Sequence, residues 1–140
     1  MDPDKEIIRF IKEHHVMTLA TAVDNRPYCA NLFYAWMSSE NCFVFTSSPE
    51  TKHASQGLEN SDVAASIVLE TSVVGKIRGL QICGKMQRPE GVLFDKAKTR
   101  YIKKYPFSAV MKLDLWVLVP EFMKLTDNRL GFGKKIIWTL

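Results

Sequence analysis

The 140-residue chain is 46% apolar and 24% charged, which suits one folded domain over residues 1–140 with a core of its own. Its formal net charge of +4 comes from scattered rather than blocked lysines, which argues against nucleic acid as the main partner. Cys29, Cys42 and Cys83 are odd in number and widely spaced, excluding a disulfide framework or a structural zinc site. With no signal-like opening and no apolar run of membrane length, the expectation is a cytoplasmic protein without a membrane partner, its cysteines buried as free thiols.

Residues 3–15 carry Ile7, Ile8, Phe10 and Ile11 at helical spacing, with Asp2 as the cap. Val16 to Val23 reads as a strand, and Asp24-Asn25-Arg26-Pro27 as a turn. Tyr28 to Met37 reads as one strand, apolar on both faces and therefore expected to be covered on both. Asn31 is its odd polar residue and needs a partner if buried.

Cys42 to Thr46 is a further strand, apolar, aromatic and β-branched. Ser47, Ser48 and Pro49 break it. Ser48 suits an N-cap, Pro49 the first helical position and Glu50 the positive end of the helix dipole, giving a helix to about Leu58. Val63 to Leu69 is the next strand. Such a corner points free backbone N–H groups, two serine hydroxyls and Lys52 at the end of a strand, where a phosphate can sit. The same residues also serve as an ordinary strand–helix junction with a solvated lysine.

Lys76 to Gln87 reads as a long strand, with Gly79 and Gly84 placed to bend it around a barrel corner. A helix runs from Arg88-Pro89 to about Lys104 and stops at Pro106; its lysines and arginine from Lys96 onward read as a solvated face rather than a binding patch. Leu115 to Val119 and Phe122 to Thr126 read as two strands, because Pro120 between them argues for an edge or a bulge. Gly131-Phe132-Gly133-Lys134-Lys135 is a loop, equally a flexible turn or an anion-binding turn, before a last strand from Ile136 to Leu140. Six or seven main strands with short links and three helices fit an antiparallel barrel closed by helices.

The chain has no G-x-G-x-x-G, no P-loop and no cluster with metal-ligand spacing. His14 and His15 have no nearby acid or cysteine in an arrangement that suggests catalysis and read as structural. No acid–base pair can be read from spacing, so any chemistry falls to a cofactor held in a shaped cleft.

Phe45-Thr46 followed by Lys52, and the strand Arg78-Gly79-Leu80-Gln81-Ile82-Cys83-Gly84-Lys85, resemble the pyridoxamine 5′-phosphate oxidase-like, flavin-binding split barrels. The ending Thr126-Asp127-Asn128-Arg129-Leu130-Gly131-Phe132-Gly133-Lys134-Lys135 is similar to their small YhbP-like branch. The resemblance implies a mainly β protein, a six-stranded antiparallel split barrel of Greek-key type with flanking helices. It also implies a homodimer with FMN in a cleft between subunits, and an oxidoreductase role in which the flavin carries hydride. Thr46 and Lys52 match the phosphate-binding segment, and Ser47 and Ser48 extend it. Asn31, Phe33 and Tyr34 are candidates for the flavin ring's surroundings. Arg78 belongs to the matching strand, and Lys134 and Lys135 would add phosphate contacts by folding back.

The chain also departs from the family pattern. Glu50-Thr51 stands where the family has Ser-Arg, the family's strand arginine falls near Ala30 or Asn31, and Gly79 replaces the flavin-contacting glutamine. The family's C-terminal tryptophan and arginine have no counterpart, so pyridoxamine phosphate oxidation is not expected. The alternative is a module of the same fold that holds haem, a deazaflavin or nothing; His53 beside Lys52 is then a conceivable haem ligand, against its commoner reading as a helix-surface histidine.

Overall fold

A computed structural model describes residues 1–140. Its three helices are α1 (Lys5–Glu13), α2 (Lys52–Glu59) and α3 (Gly91–Lys104). Its eight strands are β1 (Val16–Val23), β2 (Arg26–Phe33), β3 (Ala35–Met37), β4 (Cys42–Thr46), β5 (Asp62–Val68), β6 (Arg78–Gln87), β7 (Leu115–Asp127) and β8 (Lys135–Thr139). All pair antiparallel in the order β2-β1-β5-β6-β7-β4-β3, with β8 added to β7.

That order closes the sheet on itself. The edge strands β2 and β3 are consecutive in the chain, separated only by Tyr34, so the two edges must meet. The strand expected from Tyr28 to Met37 therefore breaks at Tyr34, where the chain leaves β1 and joins β4. Tyr34 N–H donates to His15 O at 2.9 Å, and its carbonyl accepts from Tyr105 Oη at 2.6 Å and Lys104 Nζ at 2.9 Å. These bonds satisfy the backbone polar groups where the ladder is interrupted. The result is a mainly β split barrel of eight strands rather than six.

Strand alternation sorts residues cleanly. Met17, Leu19, Leu32, Val63, Ala65, Ile67, Leu80, Ile82, Met123 and Leu125 face inward and are buried. From α1, Ile7, Phe10 and Ile11 join the same core. The cap of α1 is Asp4, not Asp2; its carboxylate accepts the Glu6 N–H at 2.7 Å. The Asp24-Asn25 turn is a tight hairpin with φ of 53° and 61°, which asparagine and aspartate tolerate better than most residues.

Helix α3 covers the outer face only around β3, β4 and the start of β7, where Ala97 and Tyr101 pack on Ala35, Met37, Cys42, Val44, Leu115 and Val117. The outer faces of β2, β1, β5 and β6 carry no second layer, against the expectation that the Tyr28–Met37 stretch is covered on both sides. Cys29 and Cys83 consequently lie exposed; only Cys42 is buried.

Pro120 does not split the strand. Gly84 pairs with Pro120 and Cys83 with Phe122, so Glu121 is the extra residue of a bulge within a continuous β7. A Cβ on Gly84 would collide with the carbonyl of Val119 and with Pro120, which is why that approach needs glycine. No helix is long and apolar enough to cross a membrane.

Candidate functional site

The corner after β4 does form, but three residues later than the cap pattern predicts. Thr51, not Ser48, is the N-cap of α2: its hydroxyl oxygen accepts the Ala54 N–H at 3.4 Å, while its hydroxyl donates to Ser48 O at 2.7 Å. Ser48 spends its hydroxyl on the Glu50 carboxylate, a bond that holds the Glu50 carboxyl below the usual range. Ser55 N–H closes on Thr51 O. The Lys52 and His53 amides remain without an acceptor from the chain, as the first amides of a helix do unless a cap or ligand takes them.

Ser47 is held from two sides. Its N–H donates to Asp114 O at 3.0 Å, and Trp116 Nε1 donates to its carbonyl at 2.8 Å. Its hydroxyl lies 2.8 Å from His53 Nε2. Partial burial pushes the His53 pKa below the ordinary histidine value, so the imidazole is neutral near pH 7 and can accept the Ser47 hydroxyl proton. Lys52 Nζ stands over the Tyr28 ring, 4.6 Å from its centroid, and makes no ion pair. On the far side of Ser47, the Arg88 guanidinium stacks on Trp116 at 4.6 Å and reaches Asp114 at 3.7 Å.

Thr46, Ser47, Ser48 and Lys52 are thus gathered at one corner. The other sequence candidates are elsewhere. Tyr34 is fully buried, with its hydroxyl donating to Ile11 O at 2.6 Å and its ring edge-on to Phe43. It is a core residue and does not line a cleft. Phe33, by contrast, is 60% exposed. Arg78 is also interior: it pairs with Asp127 at 3.3 Å and Glu13 at 3.0 Å and lies over Phe10, so its charge is already spent. Asn31 lies on the outer face of β2 and accepts the Thr18 hydroxyl at 2.7 Å. It is exposed, three residues from Tyr28 and on the opposite face of the strand.

Lys134 and Lys135 do not fold back onto Lys52 within one chain. The Lys134 carbonyl accepts the N–H of Asp127, the last residue of β7, whereas Ser47 is tied to Asp114 and Trp116 at its first. His53 and Arg88 are the corner residues that sequence spacing missed as a group. The Ser47–His53 contact spans six positions and a strand–helix boundary, so no periodic pattern displays it. Thr51 was legible, being a capping residue directly before the helical run.

The start of α2 offers an anionic group two free amides and the side chain of Lys52, with Ser47 and His53 joined to each other beside them. Glu50 limits the fit to the Ser47–Lys52 side, since its carboxylate stands with Ser48. No group of three or more histidine, cysteine, aspartate and glutamate side chains gathers to hold a metal.

A curled antiparallel sheet with its edges joined, helices at its openings and an amide-lined corner beside one edge defines a split barrel of the kind found among flavin- and haem-binding proteins. Three solved structures share this fold. A haem-binding protein from Mycobacterium smegmatis has a TM-score of 0.78 at 19% identity, covering 94% of this chain and 55% of that one. A FAD-binding protein from Mesorhizobium loti has a TM-score of 0.68 at 16% identity, covering 86% and 89%. A candidate pyridoxamine 5′-phosphate oxidase from Listeria innocua has a TM-score of 0.65 at 18% identity, covering 84% and 93%.

The chain belongs to the UPF0306 family. It is 37% identical over 132 residues to a UPF0306 protein of Photorhabdus laumondii, covering 94% of this chain and 92% of the relative. It is 33% identical over 132 residues to UPF0306 protein YhbP of Escherichia coli O157:H7, covering 94% and 90%. No family model matches the chain.

Proposed function

We propose that two copies of this chain pair through the bare outer sheet face and hold FMN at the seam, its phosphate at the start of α2. The observation that carries the reading is a helix start whose first two amides are unbonded and whose first residue, Lys52, has no ion-pair partner. Flavin, where bound, supplies hydride or electron transfer; the chain's part is to seat its phosphate with Lys52, Ser47 and the Lys52 and His53 amides. Thr46 stands at the mouth of the same corner, and Asn31 lies on the sheet face that the second copy would cover.

Pairing is supported by the make-up of that face. Val16, Ala20, Ala22, Pro27, Cys29, Phe33, Ala64, Val68, Gly79, Cys83 and Ile137 lie on it by register, together with a polar row of Thr18, Asn31, Ser66 and Gln81 and with Asp62, Lys85, Lys124 and Lys135. Phe33, Val68 and Ile137 are each at least 60% exposed in the single chain. Large apolar side chains left exposed on an uncovered sheet face support a protein interface there.

The test is direct. Purified protein sediments as a dimer, and FMN titrated into it loses fluorescence with a Kd in the micromolar range. Lys52→Gln weakens that Kd about tenfold or more, as loss of one charge-assisted contact does. Absence of quenching at micromolar FMN rejects the reading. Haem is the second reading, favoured by the neutral His53 imidazole at the same corner. It predicts a Soret band on haem addition that His53→Ala abolishes.

A further inference from the structure

A groove of about 810 Å³ runs between α1 and α3, beside the edge strand β3. Its size lies within the range of small-molecule sites, about 300–1,000 Å³. Lys96, Thr99, Arg100 and Lys103 line it from one face of α3, Lys12 lines it from α1, and Trp36 and Ser38 from β3 and its following turn. Like charges at this helical spacing repel one another, so their accumulation on one face needs compensation.

The chain supplies little of it. Lys96 is neutralised by Glu40 at 2.8 Å. Arg100 gives its Nε to Trp36 O at 2.8 Å, which aligns the guanidinium but offsets no charge. Lys104, at the neighbouring end, donates to the carbonyls of His14 and Tyr34. Lys12 and Lys103 have no ion-pair partner, and Asp95 is the lining carboxylate.

A second observation points to the same place. Trp36 is 2% exposed, borders this groove and both smaller hollows beside it, and its indole Nε1–H is the one buried side-chain polar atom in the chain without a hydrogen-bond partner. A buried donor left unpaired is costly, and an acceptor from outside the chain relieves it. Unpaired cations above an unpaired donor call for an oxygen-rich anion.

We propose that the α1–α3 groove is a second ligand site, for a small molecule bearing a phosphate or diphosphate group. Lys12, Arg100 and Lys103 bind its charge. The site does not rest on the flavin reading, because none of these residues belongs to the α2 corner.

The experiment uses ¹⁵N-labelled protein and inorganic pyrophosphate, titrated at constant ionic strength. The three tryptophan indole signals are assigned with Trp36→Phe. The Trp36 indole signal is expected to move saturably with a Kd below about 1 mM, while those of Trp116 and Trp138 stay still. Lys12→Gln combined with Lys103→Gln removes two exposed, unpartnered cations; it should raise that Kd about tenfold and leave FMN titration unchanged. A Trp36 signal that does not saturate, equal movement of all three signals, or a Kd unaffected by the double substitution would overturn the proposal.

Discussion

The Oγ of Ser47 and the Nε2 of His53 lie 2.8 Å apart, joining the end of β4 to the second residue of α2. The contact fixes the turn that presents the helix amides. It also makes His53 a titrating link in the corner, because partial burial depresses its pKa. For a base with a folded pKa below its unfolded value, protonation favours the unfolded chain. Its contribution to stability is complete above about pH 6.5 and declines as pH falls through that value toward the folded pKa. Urea unfolding at pH 7.5 and pH 5 should therefore show a loss of stability on acidification that is smaller in His53→Gln. An unchanged pH slope in that variant contradicts the assignment.

The Arg78–Asp127 pair carries a larger stability effect. Asp127 is 1% exposed; hydrogen bonds from Arg129 hold its carboxyl below the usual carboxylate range, and Arg78 adds to them. Its contribution is present above about pH 4 and is lost as pH falls through the depressed value. Asp127→Asn leaves Arg78 buried with only the half-exposed Glu13, and should cost about 3 kcal/mol or more in denaturant unfolding at pH 7. A loss below about 1 kcal/mol would mean that Arg78 finds solvent without Asp127.

Two glycines should respond in opposite ways to alanine. Gly84 faces rigid backbone at the bulge, so Gly84→Ala is expected to destabilise by about 2 kcal/mol or more. At Gly57 the added methyl meets the Sδ, Cε and Cγ of the flexible Met86 side chain rather than backbone, while alanine favours the helix. Gly57→Ala should lie within about 1 kcal/mol of the parent. Melting temperatures of the two variants measured side by side decide the matter.

Thiol labelling tests the bare face. Burial pushes the Cys42 thiol up to about 12, so it should react only on unfolding. Cys29 and Cys83 stand in one row across the sheet through Ala20 and Ala64. In a dilute monomer both should label readily. If two copies pair on this face, labelling slows as protein concentration rises, and Ala64→Arg restores it. Equal rates at all concentrations would place the pairing surface elsewhere.

Local patterns carried much of the fold. The alternation in Val16–Val23 and Arg78–Gln87 foretells which residues face the core, because side chains on a strand alternate by geometry alone. The break at Tyr34 was invisible, since Phe33, Tyr34 and Ala35 all suit a strand; it follows from β2 and β3 pairing with different neighbours. The α2 corner was legible in outline, but Ser48 looked like a cap because Ser47, Ser48 and Thr51 are all capping residue types and Pro49 suits a first helical position.

Chain order and residue type alone defined the helices, the strand faces and the lysine beside a helix start, because these depend on neighbours within a few positions. Which polar groups remained free was decided by folding. Arg78 meets Asp127 across 49 positions, and that contact spends a group that looked available. Lys12, Lys103 and the Trp36 indole N–H were left over for the complementary reason, that no polar partner folded back to reach them, and Lys52 met only the Tyr28 ring.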